Sequence, residues 1–395
     1  MAMAQTTPPT AAETSTERVY TLTNAADGNA VAVFTRQGDG TLIPLPPPPF
    51  PAPPPPGVPG PPLDPDGVIR PLPPFTTGGS GAGGPLISQG LVTLSDDGQF
   101  LFAASAGSNE VSSFLVTTTG LQFASKVSSG GVLPVSVTSF GNLVYVVNAV
   151  NNLVGTVGLD GPGTGQIAGF TIGLNGILTP LEGSNRALSS AVSAPVQISF
   201  NADGTLLVVT EFLANRITVF QVEEDGRPGN VVENPSAGRR PFGFSFNSRG
   251  HLIVSEFGSG GSNDSSVSSY EVRPNGTISV ISKSVPTNQN AACWIVNTPD
   301  ARYSYASNTL SGSISGYRVN EHGELTPLDV DGRTAVTGDN SLPIDMVTSA
   351  DGRFLSVLNQ ATQTIATFTV GSNGCLTPLA SVGNIPPIAV GLVTG

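Results

Sequence analysis

The chain has 395 residues with 16 Lys and Arg against 28 Asp and Glu, a formal net charge of −12, and only 11% charged residues. With Lys126 and Lys283 its only lysines, nucleic acid and anionic membrane surfaces are excluded as partners, because both reward clustered cations. Its 48 Gly and 35 Pro, among many Val, Ser, Thr and Asn, favour short strands joined by tight turns, so the composition reads as all-β.

Residues 1–18 are expected to be a disordered tail. "AMAQ" within them resembles the trailing edge of a signal peptide already removed, which favours a secreted or periplasmic protein over a cytoplasmic one. From Val19 to Leu45, "VYTLTNAADGNAVAVFTRQGDGTLIPL" supplies three strands. Residues 46–84 then form a proline- and glycine-rich insertion. The proline part is stiff and extended, and "TTGGSGAGG" behind it reads as a flexible tether. The whole is expected to be an enlarged loop between the first and second repeating units, a candidate lid.

Beyond it a unit recurs. In "PVQISFNADGTLLVVTEFLANRITVFQVEEDGRPGN", Pro195 to Asn230, strand A (VQISF) turns at Asp203-Gly204 into strand B (TLLVVTEF). Strand C (RITVFQV) then turns at Asp225-Gly226 into strand D. Asp-Gly between apolar runs is a strong hairpin signal. The A–B turns at Asp203, Arg249, Asp300 and Asp351 are spaced 46, 51 and 51 residues apart. "LVTLSDDGQFLFAASAGSNEVSSFLV" and "PVSVTSFGNLVYVVNAV" open two earlier units. The tetrad "LTPL" at Leu178, Leu325 and Leu376, with "LIPL" at Leu42, fixes the register.

The first unit lacks strand A, and "IPPIAVGLVTG", Ile385 to Gly395, is a strand A with nothing after it. Residues 19–395 therefore predict one domain: a seven-bladed β-propeller of four-stranded antiparallel blades, closed by the C-terminal strand joining the N-terminal three. The expected state is a monomer.

At the level of "PdGrfLyVaN…tVtvF…dG.LtpL" the units resemble the lactonase family of seven-bladed propellers, which includes 6-phosphogluconolactonase and carboxymuconate cyclase. The resemblance implies chemistry on the face of the B–C and D–A loops, with a histidine after the blade-three proline, an Arg-His pair after the blade-four proline, and a blade-four glutamate. Val135, Val196 and Gln197 stand at the first three positions; Glu211 matches the fourth.

Superposing the units places Asn24, Ser105, Asn148, Glu211, Glu256, Asn308 and Asn359 at the ends of their B strands, a polar ring at one mouth of the channel. Ser136, Gln197, Gly243, Trp294 and Asp345 face the axis from the A strands. Glu211 and Glu256, in adjacent blades, are expected to lie close enough to share a proton, with Arg239 and Arg240 able to reach the same mouth. The catalytic candidates are Glu211, Glu256 and Arg240. The substrate-binding candidates are Gln197, Trp294, Asp345, Asn148, Asn308, Asn359 and Arg239.

Neither a metal nor a cofactor is expected. His251 and His322 fall in turns on the opposite face, and Cys293 and Cys375 suggest two buried or semi-buried thiols without metal spacing. Two functions fit. One is a lactonase-like or cyclase-like enzyme using carboxylate acid–base chemistry on a small carbonyl- or carboxylate-bearing substrate. The other is a non-catalytic propeller binding a small ligand or a protein.

Overall fold

The computed structural model describes residues 17–45, 75–149, 165–261 and 263–395. They form seven separate antiparallel sheets. Blade four shows the plan: strand A, Pro195–Phe200; strand B, Leu206–Glu211; strand C, Arg216–Val222; strand D, Pro228–Pro235, paired in that order. Strand A of each blade packs against strand A of the next right round the ring. Burial follows radius. Strand B of blade four is buried at all six positions, whereas the outermost strand of blade five, Ile278–Pro286, is partly exposed along its length. Apolar side chains sandwiched between neighbouring blades make the core, as in any stack of two-faced sheets.

The ring closes as the repeat predicts. Val390–Thr394 pairs with Arg18–Leu22, so strand A of blade one comes from the C-terminal end of the chain and strand B from near the N-terminal end. The described part of the expected tail is ordered. Arg18 exchanges backbone hydrogen bonds with Gly395, and Glu17 accepts from Ala350 N and pairs with the buried Arg36 at 2.5 Å. Arg36 reaches on to Ser356 Oγ, 3.1 Å away in blade seven. These contacts fasten the seam between blades seven and one.

The insertion lies elsewhere than expected. Residues 46–74, the proline run, fall outside the described residues, but both flanks are in place: Leu42–Pro44 and Phe75–Thr76 each pair with strand C of blade one, Ala30–Arg36. The chain thus departs from and returns to one outer strand. The same split occurs in blade three, where Leu178–Pro180 and Arg186–Ala187 pair with one strand, and in blade six, with Leu325–Pro327 and Ala335–Val336. In each, proline, which has no N–H to continue the ladder, ends the first half. The next leucine (Leu45, Leu181 or Leu328) donates its backbone N–H back to strand C.

The glycine segment that follows is no tether. Ala82 N donates to Asn24 Oδ1 at 2.7 Å, Asn24 Nδ2 donates to Gly84 O at 2.9 Å, and Thr77 is fully buried. A Cβ at Gly81 would overlap the Asn24 backbone. Glycine is needed there because two backbones touch.

Candidate functional site

In blades three to seven the residue just before strand A is left-handed: Leu133, Ala194, Arg240, Ala291 and Leu342, with φ from 48° to 59°. Its carbonyl accepts the N–H of the residue after strand B, which joins the D–A loop to the B–C loop. A bulge follows at the start of each of these A strands. Five strained non-glycine residues in register are held by this repeated pairing, and they define the mouth.

The B-strand termini occupy equivalent positions, as the superposition predicts, but their side chains are buried and turned into their own blades. Glu211 accepts from Ser189 Oγ at 2.5 Å, from Ser189 N and from Thr218 Oγ1. Glu256 accepts from Ser268 Oγ at 2.5 Å and from Ser266 Oγ. Asn308 donates to Ser313 and Ser315, Asn359 to Thr364, and Asn148 exchanges hydrogen bonds with Ser129. The expected Glu211–Glu256 pair is not formed. Each carboxylate is used up by hydroxyls of its own strand C or of its incoming loop. Burial raises the Glu211 carboxyl above the usual range against the pull of those donors. At Gly238 a Cβ would overlap the Glu256 carboxylate, so that carboxylate requires a glycine opposite.

The axis-facing A-strand residues link blades. Gln197 Nε2 donates to Phe244 O at 2.9 Å while its Oε1 accepts from Phe244 N at 2.6 Å, so one amide imitates a strand residue between blades four and five. Ser136 Oγ accepts from Ile198 N, and Asp345 accepts from Leu392 N at 3.0 Å and Met346 N at 2.8 Å. Asp345 is fully enclosed, with no cationic side chain beside it among the described residues, and burial holds its carboxyl well above the ordinary value. Trp294, 2% exposed, donates from Nε1 to Ser88 O at 3.1 Å and meets Phe242 edge-on at 5.2 Å between centroids. It fills the channel wall.

Of the predicted site residues only Arg239 and Arg240 lie outside the buried set. Arg240 N donates to Asn215 Oδ1 at 2.7 Å. Its guanidinium lies 5.4 Å from the centroid of Phe212, with one 3.3 Å bond to Ser259 O. Phe212 in turn packs edge-on against Phe257 and Phe242. Among the described residues no carboxylate forms an ion pair with either arginine, although Asp264 lies within electrostatic reach of Arg239. The aromatic floor was absent from the sequence reading. Its signal was an aromatic residue directly after strand B in both glutamate-bearing blades, "TEF" and "SEF".

His251 begins strand B of blade five, and His322 lies in a turn of blade six close enough to interact with it, on the face away from the arginines. Cys293 is buried, with its thiol pushed up to about 12 by burial, whereas Cys375 is exposed. Among the described residues no group of three or more His, Cys, Asp and Glu could hold a metal ion, and no helix is long and apolar enough to cross a membrane.

Fold and mouth together define a seven-bladed propeller whose loop face carries Arg240 over the Phe212 ring, without a carboxylate partner among the described residues. The family described as lactonase, 7-bladed beta-propeller matches residues 180–291 and 263–388, more than half of the chain. The protein belongs to that family. Solved structures repeat the fold at low identity. A Bacteroides fragilis NCTC 9343 protein provisionally named 6-phosphogluconolactonase matches over 98% of this chain and 100% of its own, at 19% identity and a TM-score of 0.69. A similarly named Bacteroides uniformis ATCC 8492 protein matches at 20% and 0.68 over 96% and 99%. The Pseudomonas aeruginosa periplasmic gluconolactonase PpgL matches at 17% and 0.68, also over 96% and 99%. At the positions where the family resemblance implies histidine and arginine, Val135 and Val196 are buried and apolar, and Gln197 is committed to blade five.

Proposed function

We propose that the mouth between blades four and five takes a small carboxylate- or phosphate-bearing molecule of the lactone class, anchored by Arg240 with Arg239 beside it. The observation that carries this reading is the Arg240 guanidinium, fixed by its own backbone and by Phe212 yet free of any carboxylate partner among the described residues. Arginine in that state offers planar donors to an anion or to a developing oxyanion.

The proton belongs to Glu211. Of its two hydroxyl partners Ser189 is the half-exposed one and Thr218 is buried. In ring opening, water adds to the lactone carbonyl carbon and its proton passes through Ser189 Oγ to the Glu211 carboxylate. The ring C–O bond then breaks, and the departing alkoxide takes that proton back, giving a hydroxy acid. Hydrolysis of a sugar-acid lactone panel, followed by acid release, tests this. Arg240→Ala is expected to raise KM at least tenfold and Glu211→Gln to lower kcat with KM little changed. No turnover of any lactone by the wild type would end the enzymatic reading.

The enclosure of both glutamates by hydroxyls favours a second reading, binding without turnover, in which an anionic lactone or hydroxy acid still binds and only Arg240→Ala abolishes it. Export from the cytoplasm is part of the proposal, supported by the low charge of the chain and its abundance of Ser, Thr, Asn and Gly.

A further inference from the structure

Three residues that link blades sit at the third position of strand A and reach into strand A of the next blade: Ser136 to Ile198 and Gln197 to Phe244, each the fourth residue there, and Asp345 to Leu392, the third residue of Val390–Thr394. Blade six departs from the series, because Trp294 at its third position donates to Ser88 O instead, and so does blade five. Its third residue is Gly243, with no side chain to reach Ile295 of blade six. The missing link is supplied from elsewhere in the ring. Gln89, entering blade two, donates from Nε2 to Ile295 O at 2.9 Å and accepts from Ile295 N at 3.2 Å, and a Cβ on Gly243 would overlap its Oε1.

The same tripeptide touches three more places. Ser88 O accepts from Trp294 Nε1, Gln89 N donates to Val196 O at 3.1 Å, and Gly90 O accepts from Val137 N at 2.7 Å. Blades three, four and six are therefore hydrogen-bonded to one segment of blade two, which lies across the channel with Gly243 of blade five against it.

We propose that the gap at Gly243 is a binding site for a primary carboxamide, occupied in the intact protein by Gln89. The site presents what an amide plane needs: one backbone acceptor, one backbone donor, and a wall without a side chain. Gln89 is only half-buried, and the Ser88 hydroxyl beside it is enclosed without a partner, so the pocket has polar capacity beyond what Gln89 uses. A ligand of this class competes with the Gln89 side chain and in doing so breaks its link from blade two to blade six.

Trp294 is the only tryptophan, so its emission reports this site alone. In the full chain, Gln89→Gly is expected to lower the melting temperature by several degrees and to make Trp294 more accessible to acrylamide. Propionamide at millimolar concentration should reverse both changes saturably, and N,N-dimethylpropionamide, which has no N–H, should not. Unchanged melting and quenching in Gln89→Gly, or equal rescue by the two amides, would overturn the proposal. Should Gln89→Gly not fold, Gln89→Glu decides: it keeps the acceptor and loses the donor, so it should melt lower than wild type and lose further stability as pH rises and the half-buried carboxyl ionises. A Gln89→Glu variant that melts like wild type at every pH would equally overturn it.

Discussion

On the turn face of the propeller Asp97, Asp203, Asp300 and Asp351 are exposed and each accept the backbone N–H two residues on, whereas Glu211 and Asp345 near the mouth and channel are sealed among hydroxyls and N–H groups. The turn carboxyls are held below their ordinary range. For Asp351, burial pushes the other way, but hydrogen bonds from Ser349 and from Arg353 outweigh it and bring the value to about 2. The two enclosed carboxyls are pushed up, by burial first. One functional group thus titrates in opposite directions at the two ends of the same blades, because what differs is the water it keeps.

The hardest test of that contrast removes an enclosed carboxyl altogether. Glu211→Ala leaves Ser189 N, Ser189 Oγ and Thr218 Oγ1 without their acceptor in a buried place and is expected to cost roughly 3 kcal/mol in denaturant unfolding. Glu211→Gln keeps an acceptor and the shape, and the two hydroxyls can rotate to suit it, so it should cost far less. If the alanine variant unfolds with the wild type, the B-strand termini are not fasteners and the reading of the ring fails.

A smaller effect separates the ends by pH. A carboxyl raised in the folded state contributes stability that is complete below its unfolded value, about 4, and is lost as pH rises through the folded value. Asp345 and Glu211 therefore make the protein less stable from weakly acidic toward alkaline pH. The lowered turn carboxyls do the reverse: their contribution is present above about 4 and fades as pH falls, for Asp351 toward about 2. Chemical denaturation across pH should show Asp345→Asn flattening the upper limb alone and Asp351→Ala the acid limb alone. A variant that changes both limbs equally would erase the distinction between the faces.

The ring was legible in the sequence because propellers repeat: Asp-Gly turns, "LTPL" and a spare strand A fix strand order, closure and the equivalence of Glu211, Glu256, Asn308 and Asn359. What one-dimensional superposition misses is the direction of a side chain. Glu211 and Glu256 occupy the same place in adjacent blades, yet Thr218 and Ser268, two residues into strand C, turn them inward. Gln89 was illegible for a different reason. Its partner Ile295 lies four blades on, and no periodicity connects a residue at the start of blade two with an absent side chain at Gly243. Trp294, a substrate-binding candidate in the sequence, is the neighbour of that gap.

The outer rim supplies the control, since neither enclosed nor turn carboxyls are involved there. Blades one and three split strand D at the same point: Phe34 faces Pro44 and Val31 faces Phe75 in one, Phe170 faces Pro180 and Ile167 faces Arg186 in the other. Blade three bridges the halves with residues 181–185, blade one with residues 45–74. Replacing residues 46–74 by the Glu182–Asn185 sequence should therefore join Leu45 to Phe75 without moving either. Shortening a loop this much recovers closure entropy of at most about 1.5 kcal/mol, so the chimaera should melt at or slightly above wild type, with Arg240 ligand binding unchanged. A chimaera that fails to fold would mean that the insertion holds the ring, and a folded chimaera with altered binding would mean that it reaches the mouth from the rim.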